Sequence, residues 1–376
     1  MTIDVQKQLL EDLYQIKRDT SVLLPKTMKN SSKSNQAEIV IIGMEKDRTI
    51  YQNIFLKYQF IQLKKQKQLM SENLESWVGF DESKGDLIQV CLFLCRTKTG
   101  RNDVINLSNG YINKVINEYA TASSLSFKGP LIALIGSDGS GKSTVTTDLE
   151  KWFSEKIDCR RYYLGSGDHY NPVYKRVIKM MIRRFRLSRA LNEQQMIKTG
   201  KSQVNQIQEN ILKKGLKSCF CHVNAFYLYR ISVHSLKQLK KSKGFSASGG
   251  ICLFDRYPQN QFMGINDGPK IRKAYGRLNS SLINRLIQME EENINRCVKM
   301  SPDLVIKLIV SPEVAILRKP DHNILELEKK TDIICKLDFE NAVIHNIDAN
   351  QKYEEELKVI KKLIWDYLFQ LLKMNG

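Results

Sequence analysis

Two short clusters in this sequence carry the residue types that phosphate chemistry needs. The first is Gly136-Ser137-Asp138-Gly139-Ser140-Gly141-Lys142-Ser143-Thr144, which has the spacing Gly-x-x-x-x-Gly-Lys-Ser. Its glycines permit backbone geometry that a side chain would block. Successive N–H groups can then turn inward around a phosphate chain. Lys142 would reach the outer phosphates as a point charge, and the Ser143 hydroxyl would ligate Mg2+. The second cluster is Asp255-Arg256-Tyr257. Here a carboxylate can hold a metal shell or its waters, and the adjacent guanidinium can clamp a phosphate. The plain alternative for that pair is a structural salt bridge. Cys219-x-Cys221-His222 has no second ligand cluster at zinc spacing and reads as ordinary helix or loop.

The elements around these clusters are the ones such chemistry requires. Leu131 to Ile135 is a short apolar run fit for a buried parallel strand, and it leads directly into the Gly-rich turn. From Lys142 the pattern turns helical, with Val145, Leu149 and Trp152/Phe153 on one face, so a helix N-terminus points at the turn. Apolar runs at Arg161–Leu164, Ile251–Asp255, Asp303–Val310 and Val343–Ile347 alternate with helical stretches. The last helix spans roughly Tyr353–Leu372. Continuous apolar strands alternating with helices predict a parallel sheet covered on both faces, with ligands beyond the strand C-terminal ends. Gly136 and Asp255 both fall at such ends.

Upstream, Met1–Leu24 reads as an amphipathic helix ended by Pro25, and 26–36 as a polar linker. Ala37–Ile42 reads as a buried strand closed by Gly43, Thr49–Met70 as helical, and Gly85–Cys95 as a second strand with a turn at Thr99-Gly100. Cys91 and Cys95 read as core. The expected division is a small α+β domain over 1–125 without assignable chemistry, and an α/β domain over 126–376 with a basic insert around 165–220. The 376 residues and 42% hydrophobic content fit two or three globular domains. No apolar run has the length to cross a bilayer and Met1–Leu10 lacks a signal-peptide core, so the expected location is the cytoplasm.

The net charge of +19 is uneven. Between Lys151 and Gly250, 21 Lys and Arg stand against 5 Asp and Glu, leaving +16 in that stretch. Such a field favours an anionic partner. In 172–189, Tyr174, Ile178, Met181 and Phe185 mark one helical face and Lys or Arg crowd the rest. Three readings stand for this segment. It could bury its apolar face and direct its charges at a phosphorylated substrate, which is the plainest reading. It could lie on an anionic membrane surface, peripheral to the inner leaflet, or contact nucleic acid, the least favoured partner.

From about Pro130 onward the chain resembles thymidylate kinase and its relatives. The resemblance rests on the Gly-rich loop with its acid at Asp138, on Asp255-Arg256-Tyr257, on Ser301-Pro302-Asp303-Leu304 through Ser311-Pro312-Glu313-Val314-Ala315, and on Ile347-Asp348-Ala349. It covers about two-thirds of the chain. It implies an α/β P-loop kinase domain with a five-stranded parallel sheet flanked by helices, preceded here by the small α+β domain. It also implies ATP and Mg2+ as cofactors and a nucleoside monophosphate or other phosphorylated small molecule as acceptor; the oligomeric state, a homodimer included, is left open. By that resemblance Gly136, Ser137, Gly139, Ser140, Gly141, Lys142, Ser143 and Thr144 bind the donor phosphates, and Ser143 and Asp255 bind the metal. Asp138 and Tyr257 would meet the acceptor, and Arg256 would hold phosphate near the point of transfer. Phe226 and Arg230 sit where the family places a stacking ring and a phosphate-binding arginine. The loop has no basic residue at its variable positions, so Arg318 and Lys319 are the candidates to neutralise charge in the transition state. Lys142 is expected to face solvent.

The acceptor side departs from the family pattern. The Ser and Tyr-Gln-Gly that hold a nucleoside are replaced by Pro258 to Pro269. Gly165-Ser166-Gly167-Asp168-His169 stands in place of the acceptor loop Arg-x-Pro-Gly. This pattern is similar to thymidylate-kinase-like proteins with larger N-terminal domains, often encoded beside bacterial surface-glycan genes. No Gly-Ser followed by Asp-x-Asp occurs, so any nucleotidyltransferase-like ancestry of the N-terminal part would be catalytically empty. The expectation is an ATP-dependent phosphotransferase for which dTMP is not the best acceptor. The rival is a non-catalytic nucleotide-binding module in a glycan or membrane-surface assembly.

Overall fold

The computed structural model describes residues 4–16, 20–23, 39–64, 74–97, 123–165, 203–320 and 323–375. The linker expected at 26–36, the turn expected at 99–100, residues 166–169 and the basic segment 172–189 lie outside them. Among the described residues two five-stranded sheets form. The first contains β1 (Ser21–Leu23), β2 (Ile39–Met44), β3 (Ile61–Gln62), β4 (Leu74–Asp81) and β5 (Asp86–Cys95) in the order β1-β2-β5-β4-β3. It is mixed: β2 runs parallel to β5, and the other pairs are antiparallel.

Several N-terminal expectations are corrected. Helix α1 covers only Val5–Gln15, opened by the Asp4 carboxylate accepting from Lys7 N at 3.0 Å. Beyond it Ser21–Leu23 pairs as a strand with β2. Helix α2 (Arg48–Lys57) stops well short of Met70, because Gln59 takes a left-handed φ of 58° and Phe60 and Ile61 are drawn into the core. Gly43 lies inside β2 rather than closing it, and the Tyr51 ring takes the room a side chain would need. Strand β4 was not anticipated. It is buried along its whole length, so it shows little of the in-out alternation that marks a half-exposed strand. Cys91 and Cys95 are buried, as expected.

The second sheet is the one expected. It contains β6 (Leu131–Gly136), β7 (Cys159–Tyr163), β8 (Ile251–Asp255), β9 (Leu304–Ile309) and β10 (Val343–Asp348), all parallel, in the order β10-β9-β6-β8-β7. The chain is therefore α/β, with a helix-flanked parallel sheet preceded by a small mixed-sheet α+β region. Helix α3 (Lys142–Ser154) buries Val145, Leu149, Trp152 and Phe153 against the sheet. The long α4 (Gln203–Ala247) packs on α6 (Ser281–Val298), which lays down Ile283, Leu286, Ile287, Ile294 and Cys297 at helical spacing. Short α5 (Ile271–Tyr275) precedes α6. Helices α7 (Pro312–Arg318) and α8 (Ile324–Lys336) are opened by Ser311 and Asn323 side-chain caps. Because β6 lies between β8 and β9, the connections leave its C-terminal end to opposite sides and open a crevice there.

The last helix, α9 (Tyr353–Asn375), joins the two sheets. Trp365 Nε1 donates to Gln59 O at 3.2 Å, and Lys361 Nζ donates to Gly85 O at 2.8 Å and lies over the Trp152 ring. Phe80 of β4 meets Trp152 edge-on at 5.5 Å, so one apolar cluster runs from the first sheet into the second. Among the described residues no helix is long and apolar enough to cross a membrane.

Candidate functional site

The site is built where β6 ends. Gly139 and Gly141 both take φ of +86°, a conformation disfavoured for any residue with a Cβ, and α3 begins immediately after. A Cβ on Gly139 would also stand 2.8 Å from Ala315 O, so the loop can lie against α7 only with glycine there. Ser140 is fully buried beneath the turn, and Gly136 closes β6 against β9. The expectation of a solvent-facing Lys142 is corrected. Its side chain is buried, curled back so that Nζ donates to Ser137 O at 2.6 Å and faces Ser140 Oγ at 3.5 Å. Burial first, then the positive charge of Arg256, lowers its pKa to about 8.

Asp255, at the end of β8, is 2% exposed and receives Ser143 Oγ–H on Oδ2 at 2.6 Å. Its Oδ1 is buried without a hydrogen-bond partner. A bare carboxylate oxygen beside a hydroxyl at the start of the loop helix is a donor pair suited to a small hard cation that takes its other ligands from phosphates and water. Ser137 Oγ is likewise buried and unpartnered. Thr144 is exposed on the first turn of α3.

Charges converge on Asp138. Lys330 Nζ of α8 lies 2.8 Å from its Oδ2, and Arg256 Nη2 lies 3.5 Å from its Oδ1. Burial alone would raise the Asp138 pKa. The Lys330 hydrogen bond and charge outweigh it, helped by Lys142 and Arg256, and hold the carboxylate at about 2. Arg256 has a φ of +76°, a costly conformation for this residue type, and its Nη1 is 3.7 Å from Asp267. Asp267 first, with Tyr163, Asp138 and Asp255, raises the Arg256 pKa against the effect of burial. Lys270 Nζ stands 3.6 Å from the other Asp267 oxygen.

Arg318 is placed differently from its expected role. Its guanidinium bridges two carbonyls, Gly139 O at 3.3 Å and Ala349 O at 2.9 Å, pinning α7 between the loop and the end of β10. Lys319 is exposed. Tyr257 as an acceptor contact is also corrected. It is buried with its ring against Phe254 and Phe339, and its hydroxyl proton is given to Met300 O rather than to the crevice. Phe226 and Arg230 share an exposed face of α4, with Phe226 packed beside Tyr229. His222 has both ring nitrogens engaged, one with Ser218 O and one with Ser280 Oγ, so it is held as a helix-packing residue.

The loop after β8 is held from inside. The Gln259 side chain donates to Phe262 O and Ile265 O and accepts from Phe262 N. Glu290, buried on α6, accepts from Lys270 N and Ile271 N. Between this loop, α4 and α6 the described residues leave a narrow cleft of about 30 Å³, lined by Leu164, Ser232, Ser235, Asp267 and Lys270 among others.

Three charged positions packed around the site escaped sequence reasoning. Lys330 lies in a helix with ordinary charge patterning, and only the fold brings it over Asp138. Lys307 is buried in β9, where Nζ donates to Cys335 O at 3.0 Å and Leu337 O at 2.6 Å and holds the C-terminal end of α8. A lysine in the middle of an apolar strand was the available signal. Glu356, on the core face of α9, is 2% exposed with Oε1 unpartnered. Burial pushes its pKa up to about 7, with Arg318 lowering it and Asp348 raising it.

No protein-family model matches the chain. Solved structures of a deoxyadenosine kinase from M. mycoides, with bound dATP or dCTP, cover 62% of this chain and 97–98% of theirs. Their TM-scores of 0.33–0.34 and 16% identity are too distant to bear on its chemistry. Two Escherichia coli proteins are much nearer in sequence. The "Uncharacterized ATP-binding protein YghS" is 26% identical over 240 residues, which span 62% of this chain and 92% of YghS. The "Uncharacterized ATP-binding protein YghR" is 30% identical over 239 residues, or 62% of this chain and 86% of YghR. With that identity over nearly the whole of the relative, the chain belongs to the YghR family.

Proposed function

We propose that this protein transfers the γ-phosphoryl group of ATP, with Mg2+, to a small phosphorylated acceptor, in a thymidylate-kinase-like arrangement with an altered acceptor side. ATP as donor is supported by the names of the two relatives. One observation carries the reading. Asp255 offers a buried, unpartnered oxygen beside Ser143, at the edge of a turn whose Gly139 and Gly141 adopt the left-handed geometry of a phosphate cradle. Ser143 and Asp255 would hold Mg2+, which would supply positive charge to offset that of the outer phosphates.

The chain's own groups account for the remainder. The loop backbone and Lys142 would hold the donor phosphates, for which Lys142 exchanges its bond to Ser137 O. Arg256 would hold phosphate at the transfer point, steered by Asp267. Rate enhancement would come from positioning and fixed charge, with no covalent intermediate on the protein. The first sheet, residues 1–125 in the proposed division, would serve as a packed partner of α9 and α3. Calorimetry with MgATP, followed by acceptor-dependent ADP release, tests this reading. Binding together with release that is lost in K142M supports it. Binding without release from any acceptor favours the non-catalytic module.

A further inference from the structure

The loop that would hold the donor phosphates has Ser137, Asp138, Gly139 and Ser140 at its variable positions, so it contributes no cation of its own beyond Lys142. The structure brings one in from α8. Lys330 Nζ lies 2.8 Å from Asp138 Oδ2 and 3.0 Å from Glu326 Oε1, and the Lys330 side chain is 20% exposed. Arg318, the cation expected from sequence to face the transfer point, is held on two carbonyls instead.

The backbone that carries Lys330 is fixed from several directions. Leu327, Ile333 and Ile334 bury one face of α8. Lys307 holds its C-terminal carbonyls, and Asn266 Nδ2 donates to Lys330 O at 3.3 Å from the loop after Arg256. Asp138 is pinned by Lys330 on one oxygen and Arg256 on the other. It therefore stays ionised and is a poor proton acceptor. Its placement suits the holding of cations.

We propose that Lys330 is a catalytic residue that contacts the phosphoryl group in transfer, and that Asp138 is the residue that positions it. The proposal rests on the phosphotransfer reading and reassigns Asp138 from acceptor binding. In the step itself, an acceptor oxygen forms a new bond to the γ-phosphorus as the bond to the bridging oxygen breaks. The electron pair leaves with ADP; a phosphate acceptor brings no proton to lose, and a hydroxyl gives its proton to solvent. Charge grows on the equatorial and leaving oxygens, where a fixed ammonium is worth most.

The test reads binding of MgADP with and without aluminium fluoride, a mimic of the transferred group, to the full chain and its variants. The wild-type protein should bind MgADP more tightly when fluoroaluminate is present. K330M should lose about 100-fold of that increment while binding MgADP alone normally, which also reports an intact fold. K330R should recover part of it. D138N should lose a similar amount, and D138N/K330M no more than K330M alone, because Asp138 acts through Lys330. An increment unchanged in K330M, or absent from the wild type, overturns the proposal while normal MgADP binding leaves the nucleotide site standing. Additive losses in the double variant overturn the role given to Asp138. Failure of the wild type to bind MgADP at all overturns the phosphotransfer reading as well.

Discussion

The two halves of the crevice treat their polar groups in opposite ways. At the donor half Ser137 Oγ and Asp255 Oδ1 are buried and unpartnered, and Lys142 is held by a carbonyl that a phosphate oxygen can replace. At the acceptor half Gln259, Tyr257, Glu290 and Asn293 each bond the protein's own backbone or side chains. Buried polar groups left without partners cost about 1–3 kcal/mol each, so they persist where a ligand completes them. On the reading proposed above, a bound phosphate chain and its cation would complete the donor half. In the other half these polar side chains are engaged within the protein, and Phe226 and Arg230 lie exposed on α4.

The largest expected effect breaks the donor half directly. K142M should lower transfer by about 100- to 1000-fold while the protein stays folded, because methionine keeps the buried stem. Single-turnover rates and thermal melting check both parts; wild-type transfer by K142M would remove the phosphate site from the account. D255N should come next, with transfer slowed by about 100-fold, a raised Mg2+ midpoint and little change in ATP affinity. An unchanged metal titration would return Asp255 and Arg256 to a structural role.

Smaller effects sharpen the comparison. Gly139 and Gly141 share the same φ, but only at Gly139 would a Cβ also meet Ala315 O. G139A should therefore cost about 2–3 kcal/mol in urea unfolding and G141A about 1 kcal/mol. Equal losses would mean that α7 is not seated on the loop. Glu356 gives a pH signature. Its folded pKa of about 7 lies above the unfolded carboxyl value, so the folded state binds the extra proton between roughly pH 4.5 and 7. Stability should fall as pH rises through that window. E356Q should match the wild type near pH 4.5 and exceed it by about 1–3 kcal/mol at pH 8. Parallel pH profiles would show that Glu356 is ordinarily solvated.

These regions also differ in how far the sequence revealed them. The Gly-rich loop and Asp255 were legible because their chemistry is local: spacing, a preceding apolar strand and a following helix fit within about twenty residues. The parallel sheet was legible from continuous apolar runs. Lys330, Lys307 and Glu356 were not, because each acts across a long stretch of sequence, and a lysine or glutamate in a helix looks the same whether it faces solvent or a site. Tyr257 was misread for a related reason, since a motif match says nothing about which way a ring turns. In the first sheet, β4 is buried on both faces and α2 ends at a left-handed Gln59, features that depend on tertiary packing rather than periodicity.

The central claim is that a phosphate-transferring donor half faces an acceptor half altered away from thymidylate. It is tested most directly by specificity constants for acceptor-dependent ADP formation from MgATP, measured with dTMP, dUMP and a set of sugar monophosphates. A site that lacks the polar groups for a nucleoside gives up discrimination on the order of thousands-fold. The expected result is that a phosphorylated acceptor other than dTMP gives the highest constant. The highest constant with dTMP, at the level of a dedicated metabolic kinase, would contradict the account.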